Sequence, residues 1–259
     1  MNPTSRNVLV TGGSRGIGAA IVRALHARGA AVTFTYAQQR DKAEALVREL
    51  GGRVAAVHCD LGDVAGLGSA LPSLVDECVQ RFGSLEVLVN NAAVFEDNPF
   101  TGDDYARWRK GWERTFAINL FGAADLAWFA LRVMREQPAD ARGVRGRIVN
   151  VTSRAAHRGE LSFADYGASK AGLVNLTKSL ARSCASDGIV AFAVAPGFIA
   201  TEMADLERAD HRAAVEAEIP SGRIGTPEEV ATIVAFLASG EADYATGTTI
   251  DVNGASYVR

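Results

Sequence analysis

The stretch "NVLVTGGSRGIGAAIVRALHARG", residues 7–29, decides the fold. Its first part, Asn7 to Gly12, is a short aliphatic run that reads as a strand. From Gly16 onward, apolar residues recur at helical spacing as far as Gly29. Between the two, Gly12, Gly16 and Gly18 form G-x-x-x-G-x-G, not the commoner G-x-G-x-x-G. Side chains are missing where a strand must turn tightly into a helix and where a phosphate must approach backbone. The helix N-terminus offers unpaired N–H groups and a positive dipole end to such a phosphate. A glycine triplet alone fits a plain turn as well. The strand–turn–helix setting favours a dinucleotide site.

Outward from this unit, the alternation continues. Strands are predicted at 31–37 (AVTFTYA), 53–60 (RVAAVHCD), 85–92 (LEVLVNNA), 146–153 (GRIVNVTS), 189–197 (IVAFAVAPG) and 248–254 (TTIDVNG). Helical patterns separate them at 41–50, 64–83, about 104–137, 163–187 and 227–239. The strands are apolar nearly throughout, as parallel strands covered on both faces should be. The expected fold is α/β: a single-domain, Rossmann-type, doubly wound parallel seven-stranded sheet with helices on both faces. No Pro/Ser-rich linker, low-complexity tract or repeat divides the chain, so residues 1–259 read as one dinucleotide-binding and catalytic domain.

The composition narrows the function. With 48% hydrophobic and 22% charged residues the chain is an ordinary globular protein. Lys and Arg number 27 against 30 Asp and Glu, which leaves no basic excess for non-specific nucleic-acid binding. No uninterrupted apolar run approaches the ~18 residues that span a bilayer, and "MNPTSRNVLVTGG" lacks the apolar core of a secretory signal. Cys59, Cys78 and Cys184 are widely spaced and odd in number, which suits a reducing cytoplasm and no disulfide framework. Cys59 and Cys184 read as small buried hydrophobes rather than nucleophiles. The four histidines have no ligand spacing, so no metal is expected. The expectation is a cytoplasmic protein with neither nucleic-acid nor membrane partner.

A second stretch carries the chemistry. In "FADYGASKAG" (163–172), Tyr166 and Lys170 are four apart and share a helix face, with Gly167, Ala168 and Ser169 between them. Alone, the pair also fits an exposed helix surface. Cofactor choice rests on the end of the second strand, "TYAQQR", where no carboxylate appears before Asp41. An acid there would bind a ribose 2′-hydroxyl and repel a 2′-phosphate. Arg15 and Arg40 lie nearby, and a guanidinium pairs with a 2′-phosphate. NADP is therefore favoured, with NAD as the alternative; the competing reading leaves both arginines solvated.

Taken together, these motifs resemble the short-chain dehydrogenase/reductase family over nearly the whole chain. The resemblance rests on "TGGSRGIG" (11–18), Asp60, "NNAA" (90–93), Asn119, Ser153, "YGASK" (166–170) and "PG" (196–197), in that order. It implies a catalytic tetrad of Asn119, Ser153, Tyr166 and Lys170. It also implies that Gly12, Ser14, Arg15, Gly16, Ile17 and Gly18 hold the cofactor. Asp60 and Leu61, Asn90 and Ala92, and Pro196, Gly197, Ile199 and Thr201 complete that site with Tyr166 and Lys170. By the same resemblance Asp60 bonds the adenine amino group, Asn90 sits beside the ribose and steadies the sheet, and Thr201 contacts the nicotinamide side. Asn119 would hold a water behind Lys170. The usual "NNAG" is "NNAA" here, so Ala93 adds a methyl near the cofactor.

The pair then has a task. Carbonyl reduction needs a proton on oxygen, and a tyrosine at pKa ~10 exchanges one poorly at neutral pH. A lysine cation, with the positive nicotinamide of the oxidised cofactor nearby, is expected to favour the phenolate, while Ser153 donates to the carbonyl oxygen. Ser169 and Ser162 are the less suitable serines. Trp108, Trp112 and Trp128 read as helix packing or interface.

The tail "IPSGRIGTPEEVA" resembles that of 3-oxoacyl-[acyl-carrier-protein] reductases, and Arg135 and Arg182 fall where those enzymes meet an acidic carrier. Similar tails occur in relatives acting on other alcohols and ketones. The expected activity is therefore an NAD(P)-dependent ketoreductase on a small carbonyl or alcohol, or else a 3-oxoacyl thioester reductase. A non-catalytic dinucleotide sensor is the alternative of another class. Arg154, His157 and Arg158 follow the serine and fit an anionic or hydroxylated substrate, or solvent. Met203 and Leu206 are candidate substrate contacts. The resemblance implies a homotetramer, less often a dimer.

Overall fold

The computed structural model describes residues 6–202 and 209–259, and its seven strands form one sheet. The strands are β1 Asn7–Val10, β2 Ala31–Tyr36, β3 Val54–His58, β4 Val87–Asn90, β5 Gly146–Val151, β6 Ile189–Pro196 and β7 Thr249–Val252. They lie in the order β3-β2-β1-β4-β5-β6-β7, and every neighbouring pair is parallel. The helices are α1 Gly16–Ala27, α2 Arg40–Leu50, α3 Leu67–Phe82, α4 Tyr105–Phe116, α5 Gly122–Glu136, α6 Ala164–Ser183, α7 Ala209–Ala217 and α8 Pro227–Ser239. Strand order reverses between β1 and β4, which opens a crevice at the carboxyl ends of the strands.

Each predicted strand is present but stops one or two residues short of its apolar pattern. Those residues leave the ladder to build the turns around the crevice. Within the sheet, continuous apolarity resolves into two interleaved half-patterns, because successive side chains point to opposite faces. Val8 and Val10 pack in one core with α1 and α8, while Leu9 packs in the other with α3 and α5. Val149 and Val151 divide from Ile148 in the same way.

The long helical stretch predicted at 104–137 is continuous but irregular. Between α4 and α5, residues Ala117–Phe121 form a π turn. No single apolar run crosses this helix, yet Tyr105–Glu136 holds an 18-residue window of mean hydropathy 1.4, long and apolar enough to span a membrane. Half of that window is buried inside the protein, as in the core helix of a globular fold. Along α4, the rings of Tyr105, Trp108, Trp112 and Phe116 follow one another at centroid spacings of 5.5–5.8 Å. Trp128, expected in helix packing, is instead 55% exposed, with the Arg132 guanidinium 5.0 Å over its ring.

The 138–146 segment lies at the amino ends of the strands, away from the crevice. There Asp140 and Asp243 bracket Arg147, which is 1% exposed and reaches them at 2.7 and 2.6 Å. The charge of that loop serves a buried ion network.

Candidate active site

The glycine turn hangs between two strand ends. Thr11 Oγ1 accepts from the backbone N–H groups of Asn91 and Ala92, both at 3.0 Å. The Asn91 amide donates to the carbonyls of Thr11 and Gly12 at 3.0 and 3.1 Å. On the other side, Gly12 N–H donates to Thr35 Oγ1 at 3.1 Å. Gly12 takes φ +66°, a left-handed conformation that side chains disfavour. Gly18 has no room for one: a Cβ there would lie 2.0 Å from the Gly12 carbonyl oxygen.

The first turn of α1 carries no acidic residue and no side-chain cap, which leaves its N–H groups for an anion. Thr201, from the segment after β6, closes over this turn, with its methyl 3.4 Å from a Cβ position at Gly16. These features fit the diphosphate of a dinucleotide.

The other residues expected at the cofactor are held within the chain. Asn90 is buried and donates to Asn150 Oδ1 at 2.9 Å, and Asn150 donates on to Thr177 at 2.8 Å. The Asn90 Nδ2 braces the sheet against α6, and its Oδ1 has no partner among the described residues. Asn91 is the residue that meets the glycine turn, and the sequence offered no means to rank one asparagine above the other. Leu61 and Ile199 are 5% exposed and pack in apolar clusters, so only their backbones face outward. Asp60 is exposed beyond β3 and accepts from Gly62 N–H at 2.8 Å.

Arg40 is exposed and pairs with Glu44 on its own helix at 2.7 Å. Arg15 pairs with Glu202 at 3.2 Å, and Lys42, which sequence reading missed, reaches the same carboxylate at 2.5 Å. The two cations hold that carboxyl below its usual range. Met203 and Leu206 lie outside the described residues.

On α6, Lys170 is one turn beyond Tyr166, with Nζ 5.7 Å from the phenol ring centroid. Lys170 is 2% exposed and donates to the carbonyl of Val151, the last residue of β5, at 2.9 Å. Burial pushes its pKa down to about 8. Tyr166 keeps part of its surface open, yet dense packing around the hydroxyl pushes the phenol above its ordinary range. The neighbouring Ser153 side chain pulls it back, and the Glu160 carboxylate raises it further. The expected lowering by Lys170 together with an oxidised nicotinamide belongs to the loaded site. The lysine ammonium is directed at Val151.

Linkage gives this arrangement a measurable sign. Between pH about 8 and the ordinary lysine value of 10.5, the unfolded chain binds a proton at Lys170 that the folded chain has released. Stability therefore rises with pH across that window for this group. Urea midpoints at pH 7.5 and 9.5 should shift more favourably in the parent than in Lys170→Met, and equal shifts would remove Lys170 as the cause. The comparison between variants cancels the opposite contribution of the buried cysteines, whose thiols burial pushes up.

Asn119 sits in the π turn, 1% exposed. Its Oδ1 accepts from Val94 N–H at 2.9 Å, and its amide donates to Val94 carbonyl and Ser169 Oγ at 3.0 and 3.2 Å. Ser169 in turn donates to the Tyr166 carbonyl at 2.7 Å. The side chain is thus a strut between the end of β4 and α6. Ser169 faces away from Tyr166's phenol, but it ties Asn119 to that residue's backbone. Asp165 was also missed: it is 1% exposed and accepts from Thr115, Asn98 and the N–H of Tyr166 at 2.9, 3.1 and 2.8 Å. It pins the 95–98 segment and α4 to the start of α6. Phe95 then stacks on Phe163 at 3.9 Å and meets Tyr166 edge-on at 4.8 Å, forming a wall beside the phenol.

Arg135 and Arg182 lie in the last turns of α5 and α6, and Arg135 pairs with Asp187 at 2.7 Å. Arg182 is twelve residues beyond Lys170, or roughly 18 Å along the helix. One chain by itself does not bring them to Tyr166. Among the described residues, no group of three or more His, Cys, Asp or Glu side chains gathers as metal ligands would.

Comparison with known proteins adds the family. A family model described as enoyl-(acyl carrier protein) reductase matches residues 12–255. The 3-oxoacyl-[acyl-carrier-protein] reductases FabG of Vibrio harveyi and Escherichia coli are each 39% identical, over all of this chain and all of theirs. A short-chain dehydrogenase/reductase from Serratia marcescens superposes with TM-score 0.87 at 35% identity, covering 99% of this chain and 100% of its own. A short-chain dehydrogenase/reductase from Brucella melitensis, titled glucose/ribitol dehydrogenase, gives 0.86 at 32%, covering 100% of both chains.

Proposed function

The chain belongs to the short-chain dehydrogenase/reductase family, NAD(P)-dependent oxidoreductases acting on CH–OH and carbonyl groups, and on that premise we propose that it is an NADPH-dependent ketoreductase with Tyr166 as its general acid/base. The observation that carries this reading is the meeting of Ser153, Tyr166 and Lys170 at the carboxyl end of β5.

When bound, the dinucleotide supplies the hydride. Gly12, Gly16 and Gly18 leave backbone open to its diphosphate, and the uncapped start of α1 meets the negative charge. Ser153 donates to the carbonyl oxygen as negative charge gathers there. Tyr166 delivers its proton to the same oxygen, and its raised pKa keeps that proton in place at neutral pH. Lys170, near pKa 8, is poised to restore the proton. Asn119, Ser169 and Asp165 fix the start of α6 and with it the phenol.

The NADPH preference rests on Arg15 and Lys42, whose present partner Glu202 is an exposed carboxylate that a 2′-phosphate would replace. Initial rates with NADPH and NADH should differ by roughly tenfold or more, and Arg15→Ala should shrink that ratio. Equal rates, or faster NADH oxidation, would remove the assignment.

A second reading, reduction of a 3-oxoacyl thioester, is favoured by the full-length likeness to the FabG reductases. It is tested in the same assay by a 3-oxoacyl thioester beside simple and cyclic ketones. Saturable NADPH binding without turnover of any carbonyl would favour the sensor reading. The working assembly is proposed as a cytoplasmic homotetramer, for which the exposed Phe121 and Trp128 on the π turn and α5 offer apolar contact surface.

A further inference from the structure

Arg154 directly follows Ser153, and its side chain has no role in the reaction described above. It is 4% exposed, yet among the described residues its guanidinium donates no hydrogen bond, and buried Nη1 has no partner. A buried charge without hydrogen bonds is unfavourable in a fold, and burial pulls this one's pKa down. A leucine or methionine would fill the same space without that penalty.

The surroundings hold the guanidinium flat and leave its edges unmet. It stacks 4.0 Å from the centre of the Phe198 ring, one residue past Gly197 at the end of β6. Ser153 Oγ caps the turn that carries Arg154 by accepting from Ala155 N–H at 3.1 Å. The paired carboxylate, Glu160, is 3.9 Å from Arg154 Nε, too far for a hydrogen bond, and is shared with Arg158 at 3.6 Å. The same carboxylate is felt by the Tyr166 phenol. Glu160 thus acts on both Arg154 and the proton donor, and beside Arg154 it is a loose stand-in. Glu218 acts on Arg154 only through space.

We propose that Arg154 recognises an anionic group, a carboxylate, on the substrate, and that this group takes the place of Glu160. The preferred substrates are then keto acids, or the corresponding hydroxy acids in reverse. A planar guanidinium held by an aromatic face can grip a carboxylate with two parallel hydrogen bonds. This rests on the ketoreductase reading and narrows its substrate class.

The test uses matched pairs of 3-oxo, 4-oxo and 5-oxo carboxylates and their methyl esters, assayed with NADPH. The acid-to-ester ratio of kcat/KM should be roughly 30 or more for the best pair and should collapse toward unity in Arg154→Met. Glu160→Gln removes the internal competitor and should raise the ratio several-fold, which keeps the test open if the arginine variant does not fold. A ratio near one in the parent overturns the proposal while ester turnover leaves the reductase standing. So does a ratio that survives in Arg154→Met with both rates lowered together, the mark of a structural role. Weaker NADPH binding in that variant with the ratio intact would assign the guanidinium to the cofactor and also overturn it. No turnover of acid or ester, with NADPH bound, would remove the reductase reading and this proposal with it.

Discussion

Tyr166→Phe should lower kcat for carbonyl reduction by about 10²–10⁴-fold, the usual contribution of a positioned proton donor, with NADPH affinity nearly unchanged. The substitution deletes one oxygen and keeps the ring. Phe95 and Phe163 retain their stacking partner, and Asp165 still accepts from the backbone N–H of residue 166. Lys170 keeps its bond to Val151, because that contact does not involve the phenol. Ser153 is left able to donate to the substrate oxygen, but no group then supplies the proton. Single-turnover rates and NADPH titrations on the same preparation separate the two effects. Unchanged turnover on every accepted carbonyl would remove Tyr166 from the reaction, and an equal loss of NADPH affinity would turn it into a cofactor contact.

Gly18→Ala should nearly abolish cofactor binding, with NADPH affinity falling by about 100-fold or more, equivalent to ~2.7 kcal/mol. The added methyl would sit 2.0 Å from the Gly12 carbonyl oxygen and 2.7 Å from the Asn91 amide nitrogen. Neither atom can retreat freely. The same Asn91 nitrogen bonds both Thr11 and Gly12, and Gly12 is held to Thr35. The turn must open, and with it the cradle for the diphosphate; overpacking of this kind costs about 1–3 kcal/mol of stability as well. Gly68→Ala in α3 is the control, since nothing lies within 4 Å of its missing Cβ. That variant should bind NADPH normally and unfold at the same temperature or slightly higher. If Gly18→Ala binds as tightly as the parent, the dinucleotide is not held at this turn.

Much of the site was legible because its signals are local. The strand–turn–helix unit at 7–29 and the Tyr166–Lys170 spacing depend on chain geometry alone. The strand ends were read too long because apolar residues continue past the ladder into the turns. Nothing in 104–137 announced the π turn, since i→i+4 and i→i+5 bonding place no different demand on composition. The role of the Asn119 amide depends on Val94 and Ser169, and that of Glu202 on Arg15 and Lys42. These pairings join residues far apart in the chain, and residue type does not choose among many possible partners.

The sequence by itself determined the parallel sheet, the glycine turn, the candidate catalytic side chains and the family resemblance. Each of these is set by periodicity, backbone freedom or the spacing of a motif. Only the tertiary structure decided that Asn91, not Asn90, meets the glycine turn, and that burial raises the Tyr166 phenol. It alone placed the 138–146 charges at the far end of the sheet and left Arg154 Nη1 buried without a hydrogen-bond partner among the described residues. Burial, and the electrostatics that follow from it, belong to the packing of distant segments against one another, which no local pattern contains.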